Sequence, residues 1–207
     1  MVLLLHGFPT SSFQYRELIP LLADRYRIIA PDLPRFGFTD VPRERRYKYS
    51  FDALAHTVLA FTDALRLSRY ALYVFDYGAP TGFRLAMAHP ERITAIVSQN
   101  GNAYEEGLGD AWAPIQRYWR EPSSENRETV REALSPEGLR WQYTVGAPDP
   151  DAIAPEGQAA AARDGVSTIR SLSPRSRRLS RGITRTRPSN SWIRDTSRWK
   201  RTSKKSH

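Results

Sequence analysis

The residues best placed to do chemistry lie in the stretch 70–89, where an apolar run ends on an acid and a new helix follows at once. The unalternating run 71–75 predicts a strand that is buried on both faces of a sheet. Gly78 permits a sharp turn after Asp76, and Pro80 suits the first turn of a helix. The Asp76 carboxylate would then project from the strand tip, where it could act as a nucleophile. The alternative is that Asp76 only caps the helix, since Asp is among the best N-cap residues.

The sequence at this turn is Val-Phe-Asp-Tyr-Gly, with Val74 and Asp76 where the usual nucleophile elbow, Gly-x-Ser-x-Gly, has Gly and Ser. In that form it resembles the aspartate-nucleophile branch of the α/β-hydrolases, the epoxide hydrolases and haloalkane dehalogenases. The His-Gly-Phe-Pro sequence at 6–9 resembles the oxyanion-hole motif of the same fold. The resemblance implies that the backbone N–H groups of Phe8 and Tyr77 stabilise developing negative charge. It also implies that Asp76 forms an alkyl ester with the substrate, which an activated water then hydrolyses.

A second loop, residues 32–40, resembles the Asp-x-Pro-Gly-x-Gly-x-Ser-Asp loop of these families. Arg35 stands where that loop usually has Gly. If the position needs a positive φ, Arg there costs on the order of 1 kcal/mol. The loop therefore matches the family pattern with one local departure.

The first half of the chain alternates between the two kinds of element that position these loops. We predict strands at 2–5, 27–30, 71–75 and 93–98, and helices at 13–23, 51–65 and 78–89. This alternation is typical of an α/β protein with a parallel sheet and helices on its faces. We therefore assign residues 1–99 to a partial α/β-hydrolase core.

From residue 100 to 157 the hydrophobic period changes to short helices, predicted at 111–119, 124–134 and 136–143. The resemblance makes this segment the start of a helical cap over the nucleophile, with Tyr104, Trp112 and Tyr143 as candidate pocket residues. The alternative is that these aromatic residues pack a small helical core. Glu106 lies in an Ala-Tyr-x-Glu setting similar to that of some dehalogenases, which makes it a candidate catalytic acid. Other family members take the acid from a later strand, and adjacent glutamates on a loop are usually solvated.

The second step of the implied reaction needs a histidine as general base after the nucleophile. His6 and His56 precede Asp76, and His6 is expected to be a structural residue of its loop. His89 ends the elbow helix and points away from the strand tip, and His207 is the last residue. We therefore expect impaired turnover, with a non-catalytic remnant as the alternative.

The net charge of +9 is concentrated in the segment 158–207, which holds 14 Lys and Arg and only two Asp. Residues 1–157 hold 17 basic and 20 acidic residues. The segment also lacks hydrophobic periodicity, which predicts a disordered, low-complexity tail. We interpret it as a frame-shifted or aberrant end that replaces the half with the acid and the histidine. The alternative is a basic arm that binds nucleic acid or another polyanion.

Composition also limits cofactors and compartment. The chain has no cysteine, which excludes disulfides and thiolate metal sites. The apolar run 1–5 is too short for a signal peptide or a membrane span. We expect a cytoplasmic hydrolase that uses no metal or cofactor and does not bind membranes. We expect its substrate to be a small electrophile, and we expect it to bind nucleic acid only if the tail is genuine. Many haloalkane dehalogenases have a halide-binding Trp where this chain has Tyr77, which slightly favours an epoxide over an alkyl halide.

Overall fold

The computed structural model describes residues 1–104, 107–132 and 135–153. Its centre is a parallel sheet of four strands, in the order β2-β1-β3-β4. The strands are β1 (Val2–Leu5), β2 (Ile28–Ile29), β3 (Tyr70–Phe75) and β4 (Ile93–Gln99). Parallel neighbours need long crossover connections, and helices lie in those connections. The predicted parallel sheet with flanking helices is confirmed, with a second strand shorter than expected.

The helices of the first half are α1 (Leu18–Ala23), α2 (Phe51–Ala64) and α3 (Gly78–Ala88). The Ser50 hydroxyl caps α2 by accepting the N–H of Ala53. The prediction of one helix over 13–23 was wrong, because residues 12–15 form a 3₁₀ turn and α1 starts only at Leu18. Pro20 gives the reason: it has no N–H to donate four residues back, so it fits only in the first turn of a helix.

The main core lies between the sheet and the pair α2 and α3. Leu72 and Val74 of β3 are fully buried there, together with Leu54 of α2 and Leu85 of α3. The other face of β3, which carries Tyr73 and Phe75, is only partly buried. The prediction that β3 is buried on both faces was therefore wrong in the described structure, since α2 and α3 cover one face.

Strand β4 is the most exposed element of the sheet. Its first residue is partly buried and the following six are exposed, with Ile96 at 43% and Val97 at 52% exposure. Its inner edge pairs with β3 from Ile93 to Gln99, with a register shift that leaves Thr94 without a partner residue in β3. Within the described ranges, no strand pairs with its outer edge.

The second half contributes α4 (Ala113–Arg120), α5 (Ser124–Glu132) and α6 (Pro136–Thr144). The three short helices predicted from sequence are confirmed, including Ser135 as the cap of α6, whose hydroxyl accepts the N–H of Gly138. Val130 of α5 is buried and packs with Phe8 of the core loop. Across the described parts of the chain, no helix has the length and hydropathy needed to span a membrane. The predicted basic tail, 158–207, lies outside the described residues.

Candidate active site

Asp76 lies immediately after β3, in a turn that is closed by very close backbone contacts. Its φ is +45°, in the left-handed region that residues with a Cβ seldom adopt. A Cβ at Gly78 would lie 2.0 Å from the Leu5 carbonyl oxygen, so only glycine lets α3 start this close to β1. The Ala79 N–H donates to the Asp76 carbonyl at 2.9 Å, which completes the turn. The sequence therefore folds here as a sharp strand-to-helix elbow with Asp76 at its apex.

The Asp76 carboxylate accepts two backbone hydrogen bonds on one oxygen. The N–H of Phe8 lies 2.8 Å from Oδ1, and the N–H of Tyr77 lies 2.7 Å from the same atom. Asp76 does not act as the cap of α3, because the cap position belongs to Tyr77 and has no side-chain hydrogen bond. Burial raises the pKa of Asp76, and the hydrogen bonds from Phe8 and Tyr77 partly offset that rise.

The loop that carries Phe8 is held against the elbow. A Cβ at Gly7 would lie 2.3 Å from the Asp76 Cβ, so this approach requires glycine. The His6 ring is buried: its Nδ1–H donates to the Gly7 carbonyl at 2.9 Å, and its Nε2 accepts the Leu33 N–H at 2.9 Å. Burial lowers the pKa of His6 to about 4. Both nitrogens of this neutral ring therefore have backbone partners, which agrees with the expected structural role.

The sequence reasoning did not identify Asp32 as part of the site's support. Its Oδ1 accepts the Ser12 N–H at 2.8 Å, and its Oδ2 accepts the Phe38 N–H at 2.9 Å. Burial alone would raise the pKa of Asp32, but the hydrogen bonds from Phe38 and Ser12 lower it below its usual value. The available signal was an Asp that directly follows a predicted strand and opens a Pro/Gly loop, where Asp side chains bind nearby backbone N–H groups.

In the same loop, Arg35 adopts a φ of +73°. Arg35 stands where the loop motif usually has Gly, and a cost was expected only if this position has a positive φ. It does, so the backbone strain expected of a residue with a Cβ applies. Its side chain is exposed, so the strain resides in the backbone.

The ring of Tyr77 is buried in an aromatic cluster beneath the elbow. It packs edge-on against Phe36 and Phe51, and at a tilt against Phe8, with centroid distances of 6.3, 5.2 and 5.7 Å. These contacts surround the turn with apolar groups, which accounts for the desolvation of the neighbouring carboxylate.

One of the three candidate pocket residues lines a groove beside the loop that carries Phe8, in the described part of the chain. Tyr143 of α6 donates from its hydroxyl to the Pro9 carbonyl at 3.2 Å and lines a groove of about 530 Å³ with Phe8 and Phe75. Trp112 packs on the core and on Trp119, and it does not line this groove. Tyr104 is 42% exposed and does not line it either. Asp76 is also absent from the groove lining, and Glu106 lies outside the described residues.

No histidine in the described part of the chain forms a hydrogen bond with Asp76. His56 is exposed on α2, and His89 follows α3 with its ring 3.2 Å from Glu91. Among the described residues there is also no group of three or more His, Cys, Asp or Glu side chains that could hold a metal ion. The described site is therefore a carboxylate with two backbone donors.

The chain is similar in sequence to several known proteins. A family model described as alpha/beta hydrolase fold matches residues 1–141. An uncharacterized hydrolase of Saccharomyces cerevisiae is 49% identical over 158 residues, which are 74% of this chain and 54% of that protein. A haloalkane dehalogenase of Psychrobacter cryohalolentis is 35% identical over 58% of this chain and 40% of its own length.

Solved structures share the architecture. The epoxide hydrolase CorEH aligns with a TM-score of 0.60 at 20% identity, over 82% of this chain and 62% of that chain. At that identity the likeness concerns the fold alone. The chain spans about half the length, or less, of the two sequence relatives described above.

Proposed function

Since the chain belongs to the alpha/beta hydrolase fold family, we propose that it reacts with a small electrophile, an epoxide or an alkyl halide, through Asp76 as the nucleophile. The observation that carries the proposal is the convergence of the Phe8 and Tyr77 N–H groups on one oxygen of a carboxylate at the elbow. A haloalkane dehalogenase among the sequence relatives supports a small electrophile as the substrate class.

In the first step, Asp76 Oδ2 attacks an sp³ carbon of the substrate and forms a carbon–oxygen bond. The leaving group departs with the bonding electrons, as halide or as the alkoxide of the opened epoxide, which then takes a proton. Among the described residues, both hydrogen bonds to the carboxylate go to Oδ1 and none goes to Oδ2. The carboxylate is therefore held through one oxygen, which leaves the other to act as the nucleophile.

In the second step, water attacks Cγ of the ester and negative charge develops on Oδ1. The Phe8 and Tyr77 N–H groups already lie 2.8 and 2.7 Å from that atom, so they stabilise the charge without rearrangement. The positive φ of Asp76 keeps the side chain at the apex of the turn during both steps.

Release of the ester needs a base to activate water, and the described residues place no histidine at Asp76. We therefore propose that this chain forms one ester per molecule and does not turn over. The acid remains unassigned, since Glu106 lies outside the described residues.

The test is intact-mass analysis after incubation with styrene oxide or with 1-bromohexane. We expect one adduct per chain, and comparing the two reagents separates the two substrate classes. Trypsin cleaves after Arg69 and Arg84, and the peptide 70–84 contains Asp76 as its only carboxylate side chain. An ester there is cleaved by hydroxylamine, whereas an ether on one of the peptide's tyrosines is not.

The matched controls are Asp76→Asn, which should remove the adduct, and Asp24→Asn, an exposed aspartate after α1, which should not. The proposal fails if the adduct persists in Asp76→Asn, or if sustained product forms over many equivalents. Absence of any adduct in the unaltered, folded chain would favour the non-catalytic alternative.

A second function, polyanion binding, is favoured by the 14 Lys and Arg of segment 158–207. Its test compares the full chain with one ending at residue 157 for duplex DNA binding at physiological salt. Affinity that depends on the DNA sequence would support it, whereas binding that salt abolishes would reflect charge alone.

A further inference from the structure

The donor loop, residues 7–11, is held at both ends by the neighbouring loop that starts at Asp32. At its start, His6 Nε2 accepts the Leu33 N–H at 2.9 Å. At its end, Ser12 donates its N–H to Asp32 Oδ1 at 2.8 Å. Phe8, whose N–H contacts Asp76, lies between these two attachments.

The supporting loop is closed on itself by the same aspartate. Asp32 Oδ2 accepts the Phe38 N–H at 2.9 Å, and the Asp32 carbonyl accepts the Thr39 hydroxyl at 2.8 Å. The Leu33 carbonyl accepts the Phe36 N–H at 2.8 Å. The loop that holds the donor loop is thus a small cross-linked unit, so its two attachments are fixed relative to each other.

We propose that His6 and Asp32 are positioning residues that set the Phe8 N–H against Asp76, and that the His6 attachment holds only while the imidazole is neutral. This inference rests on the proposed function and concerns the regulation of that same site. Neither residue is placed in contact with the reacting atoms.

The chemistry of the imidazole gives the reason for the second part. The neutral ring donates through Nδ1–H and accepts at Nε2, which matches its two backbone partners. In a protonated ring both nitrogens carry a hydrogen and neither can accept a hydrogen bond. The Nε2–H would then point at the Leu33 N–H, and the hydrogen bond between them would be lost. The charged group that faces His6 is Asp32. The Phe36 ring also packs against the His6 ring in a T-shaped arrangement, with ring centroids 5.1 Å apart. Burial keeps the pKa of His6 at about 4 against the attraction of Asp32, so the attachment is intact near neutral pH.

The first test measures the rate of Asp76 ester formation against pH in four proteins. In the unaltered chain, Asp76 must lose a proton and protonation of His6 slows the reaction further, so the logarithm of the rate should fall with a slope that approaches two just below about pH 4. His6→Gln keeps an uncharged acceptor and should reduce that slope to one. His6→Leu has no acceptor and should be slower at every pH, by up to about a hundredfold, because the carboxylate is then less well positioned for attack. His56→Gln, on the exposed face of α2, should behave like the unaltered chain.

The second test does not depend on the reaction. In Asp76→Asn protein labelled with ¹⁵N-phenylalanine, the Phe8 amide resonance should still titrate near pH 4, whereas Phe61 in α2 reports any global unfolding. The Phe8 titration should vanish in Asp76→Asn/His6→Gln. A Phe8 amide that does not titrate overturns the inference, as do equal slopes in the unaltered chain and His6→Gln. Ester formation that never occurs, together with a titrating Phe8 amide, would overturn the proposed function and leave the positioning role supported.

Discussion

Arg35→Gly should stabilise the protein, because the backbone at this position is left-handed. A left-handed conformation costs a residue with a Cβ about 1–2 kcal/mol, and the observed φ is +73°. Glycine avoids that cost but loses about 0.5–1 kcal/mol more conformational entropy on folding. The difference predicts a rise of about 1 kcal/mol in the free energy of unfolding, which corresponds to about 2–4 °C in Tm for a chain of this size.

The matched control is Arg45→Gly, ten residues along the chain and also exposed. Arg45 lies in the 3₁₀ turn Arg43–Arg45 and has no positive φ, so glycine there brings only the entropic cost. We expect Arg45→Gly to lower the free energy of unfolding by about 0.5–1 kcal/mol. The same Arg→Gly change should thus raise the free energy of unfolding at residue 35 and lower it at residue 45.

Arg66 provides an independent repeat of the test. It follows α2 with a φ of +54°, and its N–H donates to the Asp63 carbonyl while Leu67 donates to Thr62. This is the Schellman arrangement, whose left-handed position usually holds glycine. Arg66→Gly should therefore stabilise by about the same amount as Arg35→Gly.

The assay is urea unfolding followed by tryptophan fluorescence, with reversibility checked by dilution and with m-values compared between variants. Equal destabilisation by Arg35→Gly and Arg45→Gly would refute the reasoning. It would mean that the Arg35 side chain contributes contacts that outweigh its backbone strain.

Two further predictions concern the elbow and its support. Gly78→Ala should lower the free energy of unfolding by about 3 kcal/mol, because the new Cβ would lie 2.0 Å from the Leu5 carbonyl oxygen; urea unfolding beside Gly109→Ala, where a Cβ meets nothing within 4 Å, checks it. Burial lowers the pKa of His6 from 6.5 to about 4, so the unfolded chain binds the extra proton between these values and stability falls as the pH falls. The loss attributable to His6 should reach about 3 kcal/mol, measured as the difference between the unaltered chain and His6→Gln at pH 7 and pH 4; equal pH dependence in the two proteins would contradict it.

The elbow and its two donors followed from sequence because each depends on short-range patterns. A strand that ends on Asp76, a glycine two residues later and a His-Gly pair after another strand are all visible locally. The parallel sheet then brings the carboxyl ends of β1 and β3 together, since these strands are neighbours. The fold class and the meeting of Phe8 with Asp76 were therefore predictable.

The support of the site was not predictable in the same way. The contact between Asp32 and Ser12 spans 20 residues, and the contact between His6 and Leu33 spans 27. Such pairings depend on how two loops lie side by side, and the hydrophobic periodicity of the sequence does not predict loop positions. The strain at Arg35 was predictable only as a condition, because the loop motif indicates a usual glycine but does not give φ.

The errors in the fold also have local causes. The helix predicted over 13–23 is interrupted, because hydrophobic spacing does not register the missing N–H of Pro20. The run 71–75 predicted burial on both faces, but side-chain type alone does not tell which layers cover a strand. The half-burial of Tyr73 and Phe75 depends on elements far away in sequence.

The outer edge of β4 is a place where pairing with another strand would change the apparent stability of this protein. Ile96 and Val97 are exposed beside a row of backbone groups that no strand pairs with in the described ranges. A strand that paired there and bound only the folded form would stabilise the protein by RT ln(1 + c/Kd), where c is the concentration of the strand and Kd is its dissociation constant. If that strand came from a second copy of the chain, the apparent stability would rise with protein concentration.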